Sequence, residues 1–157
     1  MIEIERKFLV KSDAYKHEAL SEEHMVQGFL NTDPERTVRV RIAGGLGYIT
    51  VKGVSNTLGT SRFEWEKEIS MAEAEALIDL CEPGILEKTR YRVPKEDHYF
   101  EVDVFHGANK GLVIAEIELQ DEAEFFEKPK WLGKEVTGEI KYYNSQLSKK
   151  PFSTWKN

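Results

Sequence analysis

Glutamates recur two residues apart near both ends of the chain, as Glu3 and Glu5 and again as Glu116 and Glu118. In an extended strand such neighbours share a face roughly 7 Å apart, so their side chains can converge on one cation or on adjacent ones. Oxygen-only ligation, without histidine or thiolate, favours a hard ion, Mg²⁺ or Mn²⁺, over zinc. Basic residues follow the same spacing: Arg39 with Arg41, Lys88 with Arg90, and Lys52 between them in the chain. Such groups grip phosphate oxygens, arginine through two parallel bonds. Acidic pairs for a metal and a basic path for phosphate supply what phosphoryl transfer most needs, positioning and neutralisation of charge.

The elements that carry these residues have a period of two. It runs through Ile2 to Val10, His24 to Leu30, Thr37 to Ala43, Tyr48 to Lys52, Arg62 to Ile69, Leu86 to Val93, Tyr99 to Phe105 and Leu112 to Gln120. Short turn-like stretches, Gly44-Gly45-Leu46-Gly47 and Pro94-Lys95-Glu96-Asp97, favour antiparallel hairpins. Helical signals are fewer. Ser70 and Glu73 form a capping box ahead of Ala74, Leu77, Ile78 and Cys81. Shorter helices are expected at Asp13 to Leu20 and at Gly138 to Lys149, the latter anchored by Ile140 and Leu147. The expected fold is α+β and mainly antiparallel β: an eight-stranded closed barrel with a few helices outside.

Residues two apart share a face, and on that count one face holds nine carboxylates and eight basic groups, Lys7, Arg62 and Arg92 among the latter. Their sorting by sign, acid beside acid in Glu64 and Glu66, base beside base in Arg39 and Arg41, is not that of a surface built for solubility. Phe8, Phe63, Trp65 and Phe100 lie on the opposite, apolar side, where helices can pack from outside. Alternation alone leaves two readings: a sheet with its charges in water, or a barrel with its charges turned inward. The second costs several kcal/mol per buried ion unless the ions are paired, hydrated or liganded. A nucleotide or inorganic polyphosphate with a divalent metal meets that demand.

The whole chain of 157 residues has the size of one domain and shows no linker or repeat. Charged residues make up 32%, above the ~25% of an average globular protein. The net charge of −6 argues against broad binding to nucleic acid or an anionic membrane. A single cysteine, Cys81, and the lack of a leader or long apolar run lead to the expectation of a soluble cytoplasmic protein, monomer or homodimer.

Glu3-Ile4-Glu5-Arg6-Lys7 resembles the E-x-E-x-K signature of the CYTH superfamily, the triphosphate tunnel metalloenzymes. The similarity continues in order through Gln27-Gly28-Phe29-Leu30, Arg36-Thr37-Val38-Arg39-Val40-Arg41, Thr50-Val51-Lys52-Gly53, Arg62-Phe63-Glu64-Trp65-Glu66 and Lys88-Thr89-Arg90-Tyr91. It ends with Glu101-Val102-Asp103, Ala115-Glu116-Ile117-Glu118 and Gly133-Lys134-Glu135-Val136-Thr137. The resemblance implies an eight-stranded tunnel that binds a triphosphate with Mg²⁺ or Mn²⁺. By that analogy Glu3, Glu5, Glu116 and Glu118 are metal ligands, and Glu64, Glu66 and Asp103 hold a second metal or orient water. Lys7, Arg39, Arg41, Lys52, Arg62, Lys88, Arg90 and Lys141 line the phosphate path, with Lys88, Arg39 and Glu66 nearest the chemistry. The chain departs from the family at Gly138-Glu139 and Lys141-Tyr142, where Gly-Asp and Arg-Tyr are usual; Lys141 keeps the charge but not the bidentate fork.

The expected reaction is attack of a metal-activated water on a terminal phosphorus, with Lys and Arg stabilising the leaving diphosphate. Within the family the options are an inorganic triphosphatase, a thiamine triphosphatase, a class IV-type adenylate cyclase and an RNA triphosphatase. With no added basic surface and no aromatic pair on the charged face, inorganic tripolyphosphate is favoured. A noncatalytic polyphosphate- or nucleotide-binding module is the alternative of another class. Among the remaining aromatics, Phe125, Phe126 and Trp131 are expected to anchor a helix or loop to the barrel.

Overall fold

Strands with one charged and one apolar face can hide either, and this chain wraps the charged face inward. The computed structural model describes residues 1–156. Nine strands form one antiparallel sheet: β1 (Ile2–Val10), β2 (Ser21–Asn31), β3 (Arg36–Ala43), β4 (Leu46–Gly53), β5 (Ser61–Ile69), β6 (Leu86–Lys95), β7 (His98–Phe105), β8 (Val113–Leu119) and β9 (Leu132–Glu135). Eight close a circle in the order β1-β5-β4-β3-β2-β6-β7-β8 and back to β1. The closing seam is short, Ile2 to Ile4 against Phe63 to Ser61, while the other edge of β1 pairs with β8 from Ile4–Leu119 to Leu9–Ile114. The ninth strand, β9, adds to the second half of β1 and was not expected, because four residues are too few to show an alternation. Gly44 and Gly45, both at positive φ, make the two-residue turn between Ala43 and Leu46.

The core therefore lies outside the barrel wall. Val40, Val93, Phe100, Val102, Ala115 and Ile117 are excluded from solvent on the outward face. Helix α1 (Tyr15–Glu18) and the segment leading to β9 cover part of it, bringing Tyr15, Phe126 and Trp131 against Phe8 and Phe100. Helix α2 (Met71–Ile78) starts at the expected capping box, with Ser70 Oγ accepting from Glu73 N and Glu73 Oε1 from Ser70 N. It is shorter than expected, and Cys81 follows it in a turn. At Gly28 a Cβ would stand 2.9 Å from Cys81 Sγ, so the turn after α2 reaches β2 only because no side chain is there. Helix α2 packs chiefly over β2, β3 and β4. Phe63 and Trp65, expected beneath helices, are consequently 43% and 38% exposed. Phe125 points outward at 77%, so Phe126 and Trp131 alone anchor that segment.

One end of the barrel is filled. There the inward residues turn apolar, with Leu9, Phe29, Leu86, Phe105 and Ile114 packed against Tyr142 and Leu147 of the C-terminal segment, and Phe152 and Trp155 behind them. This segment is not one helix. A 3₁₀ turn (Ile140–Tyr142) and the short α3 (Asn144–Leu147) are separated by an extended Tyr143. Leu147 is the anchor expected, whereas Ile140 faces solvent. No helix among the described residues is long and apolar enough to cross a membrane.

Candidate functional site

The inward faces of the strands, with the C-terminal segment as floor, enclose a cavity of about 200 Å³. Its wall includes Glu3, Glu5 and Lys7 of β1, Arg39 and Arg41 of β3, Lys52 of β4, Arg62, Glu64 and Glu66 of β5, Lys88 and Arg90 of β6, Glu101 of β7, and Glu116 and Glu118 of β8. Sequence phase thus brings together every expected site residue but two. Lys141 sits on the 3₁₀ turn, exposed, with its ammonium over the rings of Tyr142 and Trp155 outside the cavity. Asp103 faces inward behind the wall, and both its oxygens are taken. Arg90 Nε donates to Oδ1 at 2.7 Å and Arg90 Nη2 to Oδ2 at 2.9 Å, while Lys88 Nζ donates to Oδ2 at 2.8 Å. Lys88 and Asp103 are each 1% exposed. Asp103 therefore anchors two cations and does not itself line the cavity.

Toward the mouth, acids and bases interleave. Lys52 Nζ stands 3.0 Å from Glu3 Oε1 and 3.4 Å from Glu64 Oε2. Glu66 accepts from Thr50 Oγ1 at 2.7 Å and pairs with Arg39 at 3.4 Å and Arg41 at 3.6 Å. The Nε atoms of Arg39 and Arg41 are buried without a partner. Both arginines line the cavity, and with its other cations they suit an anionic ligand with several oxygens.

Burial sets the proton affinities. Burial, then the carboxylates of Glu116 and Glu3, push the Glu5 carboxyl well above its ordinary value. Its neighbour Glu116 is pushed the same way by burial, but Lys7, a hydrogen bond from Glu5, Arg90 and Lys88 outweigh this and hold it well below. Glu3 is raised by burial and by its hydrogen bond with Glu64, and Glu118 by burial, Glu3 and Glu101. Burial drops the Lys88 ammonium from 10.5 to about 8 despite Asp103. The Arg39 guanidinium falls to about 10 through burial and the nearby Arg41 and Arg90.

A family model of the CYTH domain matches residues 1–150. The chain belongs to the CYTH domain family. An inorganic triphosphatase of Acetivibrio thermocellus is 48% identical to this CYTH domain over 155 residues, covering 98% of this chain and 97% of that protein. A second inorganic triphosphatase, from Nitrosomonas europaea, is 36% identical over 152 residues, covering 94% and 97%. The crystal structure of an inorganic triphosphatase superposes with a TM-score of 0.66 at 34% identity, covering 92% of this chain and 96% of that one. The expected closed antiparallel barrel, with one strand more, is the fold of this CYTH domain.

Several residues in or behind the wall escaped sequence reasoning. Gln27 is fully buried on the inward face of β2, where its neighbours in phase, Met25 and Phe29, are apolar and gave no charged stripe to follow. Tyr143, Asn144 and Ser145 come from the aperiodic C-terminal segment. Tyr143 closes the floor, its ring 5.0 Å from Lys7 Nζ and 5.5 Å from Arg62 Cζ.

Proposed function

We propose that the protein hydrolyses inorganic tripolyphosphate to pyrophosphate and phosphate with a divalent cation, Mg²⁺ or Mn²⁺. The observation that carries this is a small lumen lined almost wholly by charged side chains, acids and bases both. At about 200 Å³ it lies below the ~300–1,000 Å³ usual for organic ligands, which favours an inorganic chain over a thiamine or nucleoside triphosphate. Of the two aromatic rings of the lumen, Phe29 belongs to its filled end, and Tyr143 is engaged by Lys7 and Arg62. The activity named for the relatives agrees.

Glu3, Glu5, Glu116 and Glu118 would hold the metal, with Glu64 and Glu66 facing them. The donor set is all oxygen, and neighbouring carboxyls share hydrogen bonds, Glu5 with Glu116 and Glu3 with Glu64. A cation can take the place of those protons. Among the described residues no three acidic, His or Cys side chains form a preformed cage. When bound, the cation supplies charge neutralisation on the phosphate oxygens and activation of water.

The protein's own groups do the rest. Arg39 and Arg41 hold non-terminal phosphate oxygens with forked donors, while Lys7, Lys52, Arg62 and Arg90 neutralise the chain along its length. Lys88, with a proton affinity near neutrality, can donate to a terminal oxygen when charged and accept a proton from the attacking water when not. Water forms the new P–O bond as the bridging P–O bond breaks, and the leaving diphosphate stays on the arginines. Purified protein offered tripolyphosphate, ATP, thiamine triphosphate and pyrophosphate, each with and without Mg²⁺ or Mn²⁺, should release phosphate fastest from tripolyphosphate with metal. Binding without phosphate release would leave a noncatalytic module instead, and formation of cyclic nucleotide would make it a cyclase.

A further inference from the structure

The C-terminal segment reaches into the lumen with one polar side chain that touches the buried lysine. Asn144, the first residue of α3, lines the cavity. Its Oδ1 accepts from Lys88 Nζ at 2.9 Å and from Gln27 Nε2 at 2.7 Å. Lysine has donors only, so the atom facing it must be the amide oxygen, and that in turn fixes which end of Gln27 faces Asn144. Gln27 is fully buried, and its Oε1 has no partner. A buried amide with one end unsatisfied is unfavourable, and it is held here by its single bond to Asn144.

We infer that Asn144 is the positioning residue for Lys88, holding the amine so that its remaining valence points at the terminal phosphoryl group. An ammonium has three protons. Asp103 takes one at 2.8 Å and Asn144 a second at 2.9 Å, which leaves the third, or the lone pair of the neutral amine, for the lumen that Lys88 lines. A neutral acceptor suits the place. Asp103 already offsets part of the charge of Lys88 and Arg90, and a second carboxylate would offset more of the charge meant for phosphate. The fold thereby makes the C-terminal segment part of the active site, since α3 is anchored by the fully buried Leu147 and Gln27 presses on the same amide.

This inference rests on the triphosphatase reading for its kinetic consequence but not for its geometry, and the test separates the two. In Asn144→Ala, kcat on tripolyphosphate should fall at least about tenfold with KM within about threefold, because binding by the arginines is untouched. Asn144→Asp restores an acceptor; it should return kcat to within about threefold of the parent while raising KM about tenfold, because the added charge opposes the substrate. A structural role alone would lower the melting temperature of both and leave kcat and KM of the folded fraction unchanged, which would overturn the inference. Equal loss of kcat in both variants would overturn it as well, even if the alanine variant were poorly folded. The ¹⁵N resonance of the Lys88 ammonium should be protected from exchange in the parent and broadened in Asn144→Ala. If that resonance is unchanged, Asn144 does not hold Lys88. If the parent protein releases no phosphate, the triphosphatase reading fails, and the resonance still decides the contact.

Discussion

Replacing Lys88 with methionine should make the metal-free protein more stable and nearly inactive. Lys88 is buried at 1% exposure, and its fall from 10.5 to about 8 means that charging it in place is unfavourable by about 3 kcal/mol at about 1.4 kcal/mol per pH unit. The sign follows from linkage. Below about pH 8 the lysine is charged in both folded and unfolded chains, so the penalty is present in full; it fades as the pH rises and is gone above about 10.5. Methionine keeps much of the volume and removes the charge. Asp103 and Asn144 each lose one hydrogen bond, together about 2 kcal/mol, but Asp103 keeps both bonds from Arg90. The net gain is about 1 kcal/mol at neutral pH, or about 2–4 °C in melting temperature for a chain of this length. Losing a charge-assisted contact to phosphate, together with the proton acceptor, should lower kcat/KM by about a hundredfold or more. Thermal denaturation without metal, beside phosphate release with metal, measures both. A methionine variant that melts several degrees lower than the parent would mean that Lys88 is a structural clamp on Asp103. One that keeps a third of the activity would remove Lys88 from the chemistry.

Other outcomes follow from the same charges. Glu5→Gln and Glu118→Gln should each lower turnover about a hundredfold or more, and the rise in melting temperature on adding Mn²⁺ should shrink in both while the circular dichroism stays that of the parent. Full activity in both would refute the metal assignment. Because Glu3, Glu5 and Glu118 bind protons more tightly than ordinary carboxyls, metal must displace protons. The affinity for Mn²⁺ measured by calorimetry should therefore weaken from mildly alkaline to mildly acid buffer, and a flat profile would count against these ligands. Lys141→Ala should leave kcat/KM within about twofold, since its ammonium lies over Tyr142 and Trp155 outside the lumen. A tenfold loss would return it to the phosphate path.

The eight strands of the barrel and the inward phase of their charges were legible because a period of two assigns each side chain to a face. What decides between inward and outward is the sorting by sign, and the charged lining of the cavity is its structural counterpart. Position along the barrel axis was not legible. Leu9, Phe29, Leu86, Phe105 and Ile114 share the phase of the charged residues yet fill one end, and alternation does not say where along a strand charge gives way to core. The spacing of the C-terminal segment fits one helix, but Tyr143 breaks it, turning Lys141 outward and Asn144 inward. Asp103 carried the right type and phase for a metal ligand; only the distances from Arg90 and Lys88 show that its oxygens are already occupied.

The pairing of β1 bears on how the molecule comes into being. This strand bonds to β5, β8 and β9 and to nothing near it in the chain. During synthesis the segment bearing Glu3, Glu5 and Lys7 precedes all its partner strands and has to wait, unpaired, until they have been made. Pairing between such distant segments is slow, and a waiting strand is prone to wrong partners. Assembly should end with β1 zipping into place, so that ring closure and completion of the ligand set are one event, and a half-made molecule has no site to misuse.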